Sequence, residues 1–225
     1  MRRVFSALAL VALAAGTLAE AGEIPDATLV LEAAISLPGT IPAAAPPRFV
    51  LRRDRTVFIG GSEAIYAGQL SKNEAKGIES RVKQLRKAGL LNPTVSFGDD
   101  ATKRYRLRVL KDGARDVVIS GDPRTAPPEL HPLASLVTDL LEFDHPSLRP
   151  WAPNTYALSA REGVLLGGCR EWLLPVPFED VLAAPRSLAA DDADRWPSGA
   201  NPASVCYRGE RYVVTFRPLL PGEQP

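Results

Sequence analysis

Four acidic and imidazole side chains in the middle of the chain have the types that chemistry most often uses. We name Asp139, Glu142, Asp144 and His145 the acid–imidazole cluster. Such residues hold metals or act as general acids and bases. However, Asp139 and Glu142 share a face of a predicted helix, whereas Asp144 and His145 follow its end in an Asp-His-Pro turn. We therefore interpret the cluster as a helix terminus, and keep a secreted hydrolase or metal-dependent enzyme as an alternative.

Other catalytic signatures are missing from the sequence. It has no Gly-x-Ser-x-Gly elbow, no His-Glu-x-x-His pair and no glycine pattern for phosphates or dinucleotides. Cys169 follows Gly167-Gly168, which superficially resembles a nucleophile loop. The chain has one other cysteine, Cys206, with which Cys169 can pair. In a secreted chain these two predict a disulfide, with two buried free thiols as the alternative. We predict no catalytic residue, no metal and no cofactor.

Basic side chains give a stronger pattern. Five cations fall within an arc of about 100° on a predicted helix, and we name them the basic stripe: Lys72, Lys76, Lys83, Arg86 and Lys87. Glu79 interrupts the stripe and can pair with Lys83. Arg104, Arg106 and Arg108, the arginine ladder, alternate along a predicted strand. The two sets predict a binding surface for an anionic envelope polymer or an acidic protein; a solvated surface is the other interpretation.

The sequence of the N-terminus predicts the cellular compartment of the protein. Arg2 and Arg3 precede an apolar run, and Ala19-Glu20-Ala21 matches a small-x-small cleavage pattern. Residues 1–21 therefore read as a secretory signal peptide. The apolar run is short for a membrane anchor, so we expect a periplasmic or extracellular protein with no membrane span after cleavage.

Net charge excludes a general nucleic-acid binder. The 225 residues hold 27 basic and 26 acidic side chains, and removal of the signal peptide's two arginines and one glutamate leaves 25 of each. The distribution is uneven, because Arg48 to Arg115 carries 16 basic and 7 acidic residues. From Asp116 to Pro225 there are 9 basic and 15 acidic residues. If residues that are close in sequence also lie close in space, the folded protein has a strong electric dipole. If the two halves instead interleave in one sheet, their charges cancel.

Local patterns predict most of the elements of an α+β fold. Residues 22–47 are predicted to contain a strand, Thr28 to Ser36, followed by a Pro-rich connector. Strand pairs are predicted at 48–53 with 56–61 and at 105–110 with 116–120. Ser71 to Ala88, with a Ser71/Glu74 capping box, and Glu129 to Phe143 predict two amphipathic helices.

The C-terminal third is rich in proline and loops. Short strands are predicted at Thr155 to Ser159, at Val164 to Leu166 and at Arg211 to Arg217. The tail, Pro218 to Pro225, is expected to be loose at its end. The tryptophans of this part indicate a small satellite core or a binding surface. A Pro-stiffened loop from Arg195 to Pro202 adds a protease-inhibitor-like protein as a further alternative.

Several phrases carry a family resemblance. They are PRFVLRRDRTVFIGG, LSKNEAKGIESRVKQLRKAGLL, LLEFDHPSLRPWAP and RPLLPGE. From about Arg48 to Glu223 the chain resembles a group of secreted bacterial proteins that share a domain of unknown function. The resemblance implies a non-cytoplasmic α+β domain and brings no catalytic residues.

Together these observations predict one α+β domain over residues 48–225. A mainly antiparallel sheet of six to eight strands is covered on one side by two helices, and the Pro-rich third wraps its edge. We expect a non-enzymatic secreted binding protein that uses the basic stripe and the arginine ladder.

Overall fold

The computed structural model describes residues 24–35, 47–60, 64–100, 102–165, 167–196 and 202–225. The predicted signal peptide, nearly all of the Pro-rich connector and most of the 195–202 loop lie outside these residues. The rest is α+β and mostly strand. The strands are β1 Ala27–Ile35, β2 Phe49–Arg52, β3 Thr56–Gly60, β4 Ile65–Gln69, β5 Thr94–Ser96, β6 Lys103–Val109, β7 Arg115–Ser120, β8 Arg149–Trp151, β9 Thr155–Glu162, β10 Arg186–Ala189, β11 Ala203–Tyr207 and β12 Glu210–Pro218. The helices are α1 Lys72–Lys87, α2 His131–Leu141, α3 Phe178–Ala183 and α4 Ala190–Ala193.

Eight strands form the larger sheet, in the order β5-β7-β6-β1-β2-β3-β4-β8. Neighbours are antiparallel except β5 and β7, which are parallel. The β2–β3 and β6–β7 hairpins confirm the two predicted strand pairs. Because β1 lies between β6 and β2, the first strand of the described chain becomes a central one.

Helix α1 confirms its prediction down to the cap. The Ser71 hydroxyl accepts from the Glu74 N–H, and the Ser71 N–H donates to the Glu74 carboxylate at 2.7 Å. This reciprocal box satisfies two of the donors that a helix start leaves open. Ala75, Val82 and Leu85 are buried against the larger sheet, so the opposite face of the helix stays in solvent.

Helix α2 packs on the same face of the sheet. It follows a 3-10 turn at Pro128–Leu130, and the residue after His131 is the proline predicted in its first turn. Its buried face includes Leu133 and Val137. The Arg48 guanidinium donates to the Leu141 carbonyl at 2.8 and 2.6 Å, which caps the helix end. None of the helices in the described ranges is long and apolar enough to cross a membrane.

The prediction that one sheet accounts for the chain is wrong. The C-terminal third does not wrap the edge of the larger sheet but forms a second sheet, in the order β10-β9-β12-β11, with its own core around Phe178 and Val205. The strand predicted at Val164 is also wrong. Strand β9 continues to Glu162 because it pairs with β12, and Val164 and Leu165 lie in no strand.

The predicted disulfide is confirmed. Cys169 and Cys206 are joined with their Cα atoms 5.3 Å apart, across 37 positions of sequence. The Arg170 N–H donates to the Ser204 carbonyl at 2.9 Å, so the loop after β9 is also hydrogen-bonded to β11. In the chain-entropy model a loop of this length stabilises the fold by about 3–4 kcal/mol.

The C-terminal tail is packed on the fold as far as Glu223, and its last two residues, Gln224 and Pro225, are exposed. That this end is loose stays a prediction. The tail returns from β12 to the larger sheet, where Leu220 packs with Val30 and Val50 on the face opposite the helices. The Arg217 guanidinium and the Glu223 carboxylate lie 2.7 Å apart, with side chains 5% and 0% exposed. The second Glu223 oxygen accepts from the Leu220 N–H at 2.9 Å. Residues 217–223, with the sequence RPLLPGE, therefore connect the second sheet to the larger sheet. We name this segment, with its Arg217–Glu223 ion pair, the clamp.

Removing one partner of this buried pair tests the clamp. Glu223→Ala leaves the Arg217 charge buried without its carboxylate, so we expect a loss of about 3–5 kcal/mol in the free energy of unfolding. Urea titration measures it. The matched control is Gln224→Ala, at an exposed neighbour, which we expect to change stability by less than about 0.5 kcal/mol. Equal stability of the two variants would contradict the clamp.

Candidate functional site

A groove of about 640 Å³ lies between α1 and the larger sheet. Its floor is a row of three apolar residues on adjacent strands, because Leu29 of β1 pairs in register with Val109 of β6 and with Leu51 of β2. Ile78 and Val82 of α1 form the wall. An apolar floor between a helix and a sheet is a usual setting for small-molecule sites.

Most of the basic stripe borders this groove. Lys76, Lys83, Arg86 and Lys87 line it, together with Lys111 of the β6–β7 turn. Lys72 lies one turn before Lys76, exposed on the same side of the helix. The lining residues carry five cations against Glu79 and Asp112, a net charge of +3 (5 − 2). The structure therefore joins a cationic rim to an apolar floor.

Two of these rim cations already have structural partners. Arg86 donates to the carbonyls of Lys111 and Gly113 at 3.0 Å each, and to the Asp112 carbonyl. It therefore closes the β6–β7 turn against α1. Lys111 forms an ion pair with Glu79 at 2.8 Å, so Glu79 does not serve Lys83 as the helical spacing suggested.

The other three rim cations are available to a ligand. The ammonium groups of Lys76, Lys83 and Lys87 are exposed and form no ion pair or hydrogen bond within the described part of the chain. A lysine keeps its charge in water while its methylene stem lies along apolar surface. These three side chains can therefore turn toward an anion in the groove.

The arginine ladder lies on the opposite face of the larger sheet. Successive strand residues alternate in direction, and the apolar residues of β6 face the helices. The prediction that the ladder is an exposed binding surface is corrected by its ion pairs. Arg106 pairs with Asp116 at 2.6 Å and Arg108 with Glu32 at 2.9 Å. Those arginine side chains are 19% and 14% exposed. The stripe and the ladder thus do not form one surface.

The acid–imidazole cluster is not assembled. Asp139 pairs with Arg81 of α1 at 2.7 Å, while His145 contacts Glu74 and Ser147. Within the described residues no three histidine, cysteine, aspartate or glutamate side chains lie together as a set that could hold a metal ion. The sequence proximity of the four residues therefore reflects the end of α2 and the turn after it.

His145 instead joins a network that the sequence did not reveal. Its Nδ1 lies 2.7 Å from the Ser147 Oγ, and its Nε2 lies 3.0 Å from a Glu74 carboxylate oxygen. The Ser147 N–H also donates to Nδ1 at 3.2 Å, so Nδ1 must be an acceptor. The ring proton is then on Nε2 and is donated to Glu74, while the Ser147 hydroxyl donates to Nδ1.

The network links the start of α1, the edge of β4 and the turn before β8. The Gln69 N–H donates to Ser147 Oγ at 3.0 Å. A Cβ at Gly68 of β4 would lie 2.6 Å from that oxygen and 3.2 Å from the Leu148 backbone nitrogen, so a larger residue there would displace the turn. Hydrogen bonding with the Ser71 side chain, then with its N–H, and then with His145 lowers the pKa of Glu74 from 4.5 to about 2. Glu74 was predicted only as a capping residue, and nothing in the sequence spacing links it to His145.

The tryptophans of the C-terminal part belong to packed clusters. Trp196 is 8% exposed in the core of the second sheet, and the Trp172 ring lies 4.7 Å from that of Phe178. Trp151 packs edge-on to Phe58 at 5.7 Å. These contacts favour the satellite-core interpretation over a binding surface.

Comparison with protein-family models, with curated proteins and with solved structures finds no match for this chain. The resemblance to secreted bacterial proteins therefore stays a prediction.

Acid titration tests the Glu74 network. A carboxylate whose pKa is lower in the folded than in the unfolded chain stabilises the folded state at pH values above its unfolded-state pKa. This stabilisation is lost as the pH falls through the carboxylate's pKa in the folded state. We expect the wild type to unfold at higher temperature than Glu74→Gln above about pH 4.5, and this difference to shrink between 4.5 and about 2. Glu129→Gln, at an exposed carboxylate, is the control. A difference that stays constant with pH would contradict the network.

Proposed function

We propose that the protein is a non-enzymatic binding protein of the periplasm or the extracellular medium that holds an anionic partner on α1. The observation that carries the proposal is the groove, with its apolar floor and the three lysines whose ammonium groups are not engaged elsewhere in the described chain. The Cys169–Cys206 disulfide supports an oxidising compartment.

The charge distribution around α1 supports an anionic partner. Lys76, Lys83 and Lys87 repeat at spacings that keep them on one side of the helix, so a single extended anion can meet all three. An exposed ion pair is worth about 0.2–1 kcal/mol, so three acting together give a modest, salt-sensitive affinity. An anionic envelope polymer or an acidic protein segment meets this requirement.

Charge reversal of these three lysines tests the proposal. With long-chain polyphosphate as the probe, we expect Lys76→Glu, Lys83→Glu and Lys87→Glu together to weaken binding by about tenfold or more. Isothermal titration calorimetry at low salt measures the dissociation constant, and added salt should weaken wild-type binding.

The matched control reverses three exposed arginines of the second sheet, Arg161, Arg186 and Arg211, and changes the net charge by the same amount. We expect this control to bind polyphosphate nearly as the wild type does. Equal loss in both variants would mean that only net charge matters and would contradict a site on α1.

The Ser147–His145–Glu74 network favours a second candidate function. A hydroxyl that donates to an imidazole, which donates in turn to a carboxylate, is the arrangement of an acyl-transfer site, although here the two ring nitrogens exchange roles. The secreted-hydrolase alternative would then use Ser147 and Glu74 with His145, in place of the rest of the acid–imidazole cluster.

A fluorophosphonate probe, which reacts with activated serines, tests this candidate. If the network is catalytic, the probe labels the wild type and not Ser147→Ala or His145→Gln, while the exposed Ser135→Ala keeps the label. Mass spectrometry locates the adduct. No label on the wild type would show that the network only fastens α1 to the turn before β8.

The protease-inhibitor alternative stays a prediction. Most of its loop lies outside the described residues, and Trp196 at its near end is buried in the second core.

A further inference from the structure

The floor of the groove restricts which anions can use it. Leu29, Leu51 and Val109 close the bottom of the groove with methyl groups and are buried residues, 3%, 1% and 2% exposed. The Thr28 hydroxyl in the same lining already donates to the Leu51 carbonyl at 3.1 Å. Ile78 adds a partly buried apolar wall. A sugar or phosphate chain laid here would lose water without gaining hydrogen bonds, which is unfavourable. Hydrocarbon laid here would instead gain about 0.8 kcal/mol for each fully buried methylene.

Apart from the buried Thr28 hydroxyl, the polar side chains of the lining lie at the rim and not along the floor. On the helix side these are the ammonium groups of Lys76, Lys83 and Lys87, and across the groove is the turn with Lys111 and Asp112. Because Glu79 neutralises Lys111, the unneutralised positive charge lies on the helix side. A ligand therefore meets cations at one margin and methyl groups beneath.

The two halves of the lining fit one class of molecule. We propose that the groove binds a single-chain anionic amphiphile, with its carboxylate or phosphate head at the α1 lysines and its hydrocarbon chain over the Val109–Leu29–Leu51 row. This inference rests on the proposed function and narrows its anionic partner. A volume of about 640 Å³ falls within the usual range for small-molecule sites.

Chain length separates this inference from simple anion binding. We expect the full chain to bind dodecanoate, used below its micelle concentration, with an affinity that rises about twofold or more for each methylene from octanoate upward. Calorimetry gives the dissociation constants. Dodecyltrimethylammonium, with the same chain and a cationic head, should bind at least about tenfold more weakly.

Two variants locate the chain and the head. Ser80 is an exposed residue of the lining, so Ser80→Trp covers the groove without altering the core. We expect it to weaken dodecanoate by about tenfold and to leave polyphosphate binding unchanged. Lys83→Glu should weaken both ligands. Ser135→Trp, at an exposed position of α2, is the control and should change neither.

The outcomes separate the two proposals. Polyphosphate binding that depends on the lysines, with no effect of fatty-acid chain length or of Ser80→Trp, would overturn the amphiphile and leave the anion site standing. Binding of neither ligand would overturn both. Dodecanoate binding that survives in Ser80→Trp and Lys83→Glu would place the ligand elsewhere and overturn the inference.

Discussion

The structure depends on the burial of both faces of β1. Leu29 and Leu31 face the helices, while Val30 faces the opposite side, and all three are nearly inaccessible to water. A strand that is apolar on both faces needs cover on both. Helices α1 and α2 supply one cover, and the returning C-terminal tail, through Leu220, supplies part of the other. The clamp by Arg217 and Glu223 follows, because the tail must be held where it covers this strand.

The same requirement creates the candidate site. Helix α1 has to place Val82 and Leu85 on the sheet, so its charged residues are turned away from the core. The lysines of its charged side line the groove together with the Val109–Leu29–Leu51 row of the sheet. An apolar floor with a cationic rim thus results from an amphipathic helix that packs on residues of three adjacent strands.

Local sequence signals predicted local structure well. The Ser71/Glu74 capping box correctly predicted where α1 begins. The alternation of apolar and basic residues along β6 correctly predicted which of them face each side of the sheet. The cysteine count predicted the disulfide. Each of these signals acts over a few residues or involves a single possible pairing, so no knowledge of the remaining fold is needed.

Interactions between distant parts of the chain were not predictable in this way. Strand β5 has three residues and pairs in parallel with β7, while β8 contains a proline, so neither shows a strand pattern. The second sheet depends on β12 pairing with β9, whose paired residues are 50 (Tyr212 and Glu162) to 62 (Pro218 and Tyr156) positions apart. Glu32, the partner of Arg108, lies 76 positions before it, and the link from Glu74 to His145 spans 71 positions. Composition and periodicity carry no information on such pairs.

The most direct measurement is a map of backbone amide shifts on titration with dodecanoate. We expect the largest changes on α1, on the ends of β1, β2 and β6 that form the floor, and on the turn at Lys111 and Asp112, with little change in the second sheet. Shifts concentrated on the second sheet, or around the arginine ladder on the far face, would contradict the assignment of the groove as the binding site.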